Sequence, residues 1–163
     1  MIRAYLDSST FVKQFTEEKG SEVAHRLFTA CENGQIELAT SQWTIGESIA
    51  AIDKKFRRDE ITEEGRDFSI KLLLEITYNL ADKKYLMIIP LGENAVSTSW
   101  KYITSDHLSA DDALQLLSFM MIKSEAFLAS DKYLLDSIKQ EGIDGYNIED
   151  ENDATKIIRM SEG

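Results

Sequence analysis

Residues 126–135 read AFLASDKYLL: four small or apolar residues, then Ser130 and Asp131, then a run with helical spacing. A strand so short and so apolar has no polar face, which suits a parallel sheet covered on both sides. Residues 2–10, IRAYLDSST, have the same layout. Ile2–Leu6 forms the apolar run, and Asp7-Ser8-Ser9-Thr10 opens a helix carrying Phe11, Val12 and Phe15. In parallel α/β sheets, ligands bind at the carboxyl ends of the strands. Asp7 and Asp131 both stand there.

Working outward, short apolar runs alternate with helical segments along the whole chain. Helices are expected over about 21–33, 42–58, 62–80, 93–103, 109–122 and 132–140, and strands over 2–6, 36–39, 86–91, 126–129 and 146–148. The helix near 21–33 carries Val23, Ala24, Leu27, Phe28 and Cys31 at a period of 3.6. Its neighbour over 42–58 has a stripe of Ile45, Ile49, Ile52 and Phe56, with Glu47 nearly opposite, beside Trp43 and Ala50. The helix over 62–80 has an apolar stripe of Phe68, Leu72, Leu73, Ile76 and Leu80, which suits core burial or a partner or dimer surface equally. This alternation predicts an α/β fold, a mainly parallel sheet of four to five strands with helices on both faces. Residues 1–150 form the expected domain, and residues 151–163 read as a polar C-terminal tail whose Ile157, Ile158 and Met160 can dock.

The chain has 163 residues, enough for one domain with a core. Its net charge of −11 weighs against a general nucleic-acid coat protein. It does not weigh against an enzyme that meets phosphates through bound metal. One cysteine, Cys31, forbids an internal disulfide, and a reducing cytoplasm is the expected location. No apolar run is long enough to span a membrane.

Two further acids sit in apolar sequence: Glu47 in TIGESIA and Asp112 in LSADDALQLL. Buried together with Asp7 and Asp131, they would repel one another, and a divalent cation is the simplest compensation. Each has a plainer role as well. Asp7 and Asp131 suit helix N-caps. Asp112 lies three residues after Ser109, as in a capping box, and a mid-helix Glu is usually solvated. Asp111 reads as a solvated first-turn residue.

Taken as a set, AYLDSSTFVKQF, SQWTIGESIAAI, LSADDALQLL and FLASDKYLL resemble the PIN-domain family, which includes the VapC-type toxin ribonucleases. The resemblance implies a three-layer α/β/α sandwich with Asp7, Glu47, Asp112 and Asp131 as catalytic residues and ligands of Mg²⁺ or Mn²⁺. Ser130 matches the hydroxyl before the last aspartate. Gln115 stands where the family often has histidine.

The implied activity is metal-dependent hydrolysis of RNA phosphodiester bonds by the toxin of a toxin–antitoxin pair. RNA is the implied substrate, an antitoxin protein and a second copy of the chain the implied partners. Oxygen ligands with retained waters suit Mg²⁺ or Mn²⁺. Ser9 and Ser130 are candidates to orient a water or a phosphate, though local turn bonding serves equally. Lys54 and Arg58 fall on the Glu47 face, about 10 and 16 Å along the axis, and are candidates to guide an RNA backbone. Their plainer role is a solvated basic helix end. His25 reads as structural, and His107 as a weaker substrate candidate.

There is no phosphate-binding P-loop, dinucleotide fingerprint, zinc-protease motif, C-x-x-C or G-x-S-x-G elbow. A phosphatase competes, but Asp7 is followed by Ser8-Ser9 and lacks the second aspartate two residues on. An RNA-processing PIN nuclease without an antitoxin and a non-catalytic PIN-like scaffold are the remaining alternatives.

Overall fold

A computed structural model describes residues 1–162. Five strands, β1 (Arg3–Leu6), β2 (Glu37–Ser41), β3 (Leu86–Ile89), β4 (Ala126–Ala129) and β5 (Gly145–Asn147), form one sheet in the order β3-β2-β1-β4-β5. Every pairing is parallel. Helices α1 (Ser8–Phe11), α2 (Ser21–Glu32), α3 (Gln42–Arg57), α4 (Glu63–Asp82), α5 (Glu93–Ser105), α6 (Ala110–Ile122), α7 (Lys132–Gln140) and α8 (Glu151–Ser161) fill the connections and the C-terminus.

Side-chain alternation along the strands divides the core into two layers. Ala4, Leu6, Leu38, Leu86, Ala126 and Leu128 pack with Phe11, Leu27, Phe28, Ile52, Leu73 and Leu80 on one face. Tyr5, Ala39, Ile89, Phe127 and Ala129 pack with α5, α6 and α7 on the other. The result is the expected three-layer α/β/α sandwich.

The chain leaves β1 toward β2 and β3 on one side, then returns to lay β4 against the other edge of β1. The point of reversal lies between β1 and β4. A crevice opens at such a point outside the strands' carboxyl ends.

Helix starts follow their local signals. Asp7, Ser41, Thr62, Ser109, Asp131 and Asp150 each accept a backbone N–H of the first turn. Gly142, at φ +76°, ends α7 in the left-handed region that glycine tolerates.

One open choice is settled for Phe68, and three expectations need correction. Phe68 is 67% exposed, and the side of α4 that enters the core is Leu73, Thr77 and Leu80. The phase of α4 is set by its packing on α3, and a stripe with apolar residues on two sides does not reveal it. Helix α5 runs to Ser105, into the expected loop. The last strand begins one residue early, at Gly145. Finally, Glu151–Ser161, read as a polar tail, is a capped helix whose Ile157 is fully buried against the core. Asp153 on α8 also accepts the Asn147 N–H of β5 at 3.0 Å.

Lys13 is 2% exposed, and its Nζ lies 2.8 Å from Glu149 and 3.1 Å from Glu18. This pairing ties the turn after α1 to the loop before α8. Among the described residues no helix is long and apolar enough to cross a membrane.

Candidate active site

Asp7 leaves β1 in an extended conformation and caps α1. Its N–H donates to the Leu128 carbonyl at 3.1 Å, so the β1–β4 pairing continues to the candidate acid itself. Its Oδ1 accepts the Thr10 N–H at 2.9 Å, and the Ser9 Oγ lies 2.8 Å from both carboxyl oxygens. Ser9 in turn accepts the Ser130 N–H at 2.8 Å. This hydroxyl therefore bridges the carboxyl ends of β1 and β4. Asp7 is 4% exposed, and burial pushes its carboxyl up to about 6 against the opposing bonds from Ser9 and Thr10.

Glu47 is half-buried on α3. Burial, then the charges of Asp111 and Asp7, push its carboxyl up to about 7, opposed by hydrogen bonds from Gln115 and Ser8. Asp112 stands in the first turn of α6, where its N–H donates to the Ser109 hydroxyl at 3.1 Å. Burial raises its carboxyl above the ordinary range, helped by the charges of Asp131 and Asp111. Asp131 is exposed and caps α7, accepting the Leu134 N–H at 3.0 Å. Capping occupies one oxygen of Asp131 and leaves the other free.

These couplings link all four acids in sequence: Asp7 to Glu47, Glu47 to Asp111, Asp111 to Asp112, and Asp112 to Asp131. Asp111, which reads as merely solvated, is the link between the two halves. Among the described residues no Lys or Arg forms an ion pair with any of the four. Nor do any three His, Cys, Asp or Glu side chains converge closely enough to hold a metal ion between them alone.

Lys54 and Arg58 are exposed near the end of α3 and make no ion pair among the described residues, whereas Lys55 and Arg57 are paired with acids. His25 and His107 accept hydrogen bonds through their backbone carbonyls, from Thr29 and Tyr133. A hollow of about 230 Å³ adjoins Glu47 and is lined by Gln42, Trp43, Gly46 and Ala50. The Trp43 indole is 38% exposed there. A hollow of about 310 Å³ lies at the amino ends of the strands, around Arg3, Glu37 and Leu86, away from every candidate acid.

The residue that sequence reading undervalued is Gln115. It is buried on α6, hydrogen-bonded to Tyr5 of β1 and to Thr44 and Glu47 of α3. Its sequence signals are a polar residue inside the apolar run ALQLLSF and its place where the resembled family often has histidine.

No family model matches the sequence, and no curated protein does either. Solved structures match the fold. The crystal structure of PAE2754 from Pyrobaculum aerophilum superposes with a TM-score of 0.68 at 14% identity, covering 99% of this chain and 91% of that one. The crystal structure of Mycobacterium tuberculosis VapC20, a toxin that cleaves the sarcin-ricin loop, superposes with a TM-score of 0.59 at 14% identity, covering 86% and 95%. The architecture is PIN-like. At this identity the likeness extends to the fold alone.

Proposed function

We propose that this protein is a Mg²⁺- or Mn²⁺-dependent endoribonuclease, the toxin of a toxin–antitoxin pair. The observation that carries the reading is the charge-linked set Asp7, Glu47, Asp112 and Asp131 at the topological switch of a parallel sheet. Asp7, Glu47 and Asp112, buried or half-buried with carboxyls pushed up and no Lys or Arg paired to them, are an arrangement that a divalent cation relieves. The donors are all oxygen. Such donors suit Mg²⁺ or Mn²⁺, which bind through one or two carboxylates and keep several waters.

When bound, the metal supplies an acidified water and stabilises charge on the phosphoryl and leaving oxygens. Asp7, Glu47, Asp112 and Asp131 would hold it. Ser9 is already committed to the Asp7 carboxyl and the Ser130 N–H, so its role is to fix Asp7. Ser130, the residue before Asp131, is the better candidate to contact a phosphate. The Trp43 indole beside Glu47 offers a flat surface to an unpaired base. Farther along the same helical face, Lys54 and Arg58 carry the unpaired positive charge that guides the backbone. The VapC20 toxin, which shares the fold, supports the toxin assignment. Phe68 and Tyr78, exposed on α4, offer an apolar surface to an antitoxin or a second copy.

The test is cleavage of a panel of single-stranded and structured RNAs with Mn²⁺ or Mg²⁺, wild type beside Asp7→Asn. Metal-dependent cleavage confined to wild type supports the proposal. Equal cleavage by both proteins rejects this site. No cleavage by either, together with no Mn²⁺ binding at millimolar concentration, rejects the nuclease in favour of a scaffold.

A further inference from the structure

Gln115 is 2% exposed, and both ends of its side-chain amide are hydrogen-bonded. Its Oε1 accepts the Tyr5 hydroxyl at 2.6 Å and the Thr44 hydroxyl at 2.8 Å. Its Nε2 donates to the Glu47 Oε2 at 2.5 Å. The two ends of an amide differ in what they can bond, and here each end meets a group that suits it. Turning the amide over would set its oxygen against a carboxylate oxygen, with no proton between them. Thr44 is itself held, because its Oγ1 lies 3.0 Å from the Ser41 Oγ and its N–H donates to that same oxygen. The amide therefore has one orientation, set from β1 and from the first turn of α3.

Glu47 needs such a partner more than Asp7 and Asp131 do, because those two carboxyls accept the N–H groups they cap. Glu47 lies mid-helix, where no backbone N–H is free, and a Glu side chain otherwise samples many rotamers.

We propose that Gln115 is a positioning residue for Glu47, a buried amide that selects one carboxylate rotamer and presents it to the metal. The inference rests on the metal-site reading above. Groups that hydrogen-bond a metal-ligating carboxylate typically change metal affinity 10- to 100-fold when removed. Gln115 acts through Glu47, so its contribution disappears when the Glu47 carboxylate is absent.

The experiment is a Mn²⁺ titration of RNA-free protein, followed by electron paramagnetic resonance, on wild type, Gln115→Met, Glu47→Gln and the double variant. Gln115→Met is expected to weaken Mn²⁺ binding at least tenfold. Three carboxylates remain in Glu47→Gln, which keeps residual binding measurable at millimolar Mn²⁺. In that background Gln115→Met is expected to add nothing, the non-additivity of residues acting through one another.

Gln115→Met strands the buried Tyr5 and Thr44 hydroxyls. If it fails to fold, the combination Tyr5→Phe, Thr44→Val and Gln115→Met removes those donors together with their acceptor. Wild-type Mn²⁺ affinity in Gln115→Met, or an equal loss in both backgrounds, overturns the positioning role and leaves the metal site standing. Absence of Mn²⁺ binding by wild type itself overturns the metal-site reading and this inference with it.

Discussion

Asp7→Asn is expected to make the metal-free protein more stable while removing its cleavage activity. The folded protein holds the Asp7 proton up to about pH 6, against an ordinary carboxyl value of 3.8, because burial disfavours the anion. That gap of roughly two pH units corresponds to about 3 kcal/mol, at about 1.4 kcal/mol per unit. Asparagine keeps the acceptor for the Thr10 N–H but loses one for the Ser9 hydroxyl, at a cost of about 1 kcal/mol. The net gain is about 2 kcal/mol, a large part of the margin of a small domain.

The sign depends on pH. Below about pH 4, Asp7 is protonated in both folded and unfolded chains and carries no penalty. As pH rises from about 4 to about 6, the unfolded chain ionises while the folded one holds its proton, and the wild type loses stability. Above that window the penalty is constant. Urea unfolding in EDTA at pH 4 and pH 8 checks this, with equal slopes required for comparison. At pH 4 the variant should be no more stable than wild type, and at pH 8 it should exceed it by about 2 kcal/mol. A variant that gains nothing between the two pH values would refute the claim that Asp7 carries a desolvation penalty.

Three further outcomes are expected. Trp43→Ala should raise KM for single-stranded RNA about tenfold with kcat nearly unchanged, since stacking of one base is worth about 1–3 kcal/mol; steady-state kinetics measures it. Lys54→Ala with Arg58→Ala should flatten the dependence of log affinity on log salt by about 1.4, from about 0.7 for each phosphate contact on a single strand. An unchanged slope would return both residues to the role of a solvated helix end. Ile157→Ala, which opens a cavity between α8 and α2, should destabilise the fold by about 2–4 kcal/mol in chemical denaturation.

The strand ends that carry Asp7 and Asp131 were legible because a strand-to-helix switch is written within a few adjacent residues. Caps such as Thr62, Ser109 and Asp131 are equally local, and the helices begin where those residues predict. Contacts across the fold are not written locally. Gln115 meets Glu47 across 68 residues and Tyr5 across 110. A lone amide in an apolar run does not say which distant groups it satisfies. The same limit hid Lys13, whose partner Glu149 lies 136 residues away, whereas Ile157 was legible as a docking residue although the helix that carries it was not. Phe68 shows a choice that spacing leaves open, an apolar residue at helical spacing that the third layer never covers.

The sheet order also sets when the acids can meet. β1 is made first, and one of its edges must wait for β4, more than a hundred residues later. The Ser9–Ser130 bond that joins the two strand ends closes a separation of 121 residues. On the ribosome, Asp7 and Glu47 emerge long before Asp112 and Asp131 exist. A nascent chain thus carries half an acidic centre and no completed crevice. Any chemistry that depends on all four carboxylates is withheld until translation of this domain is nearly finished.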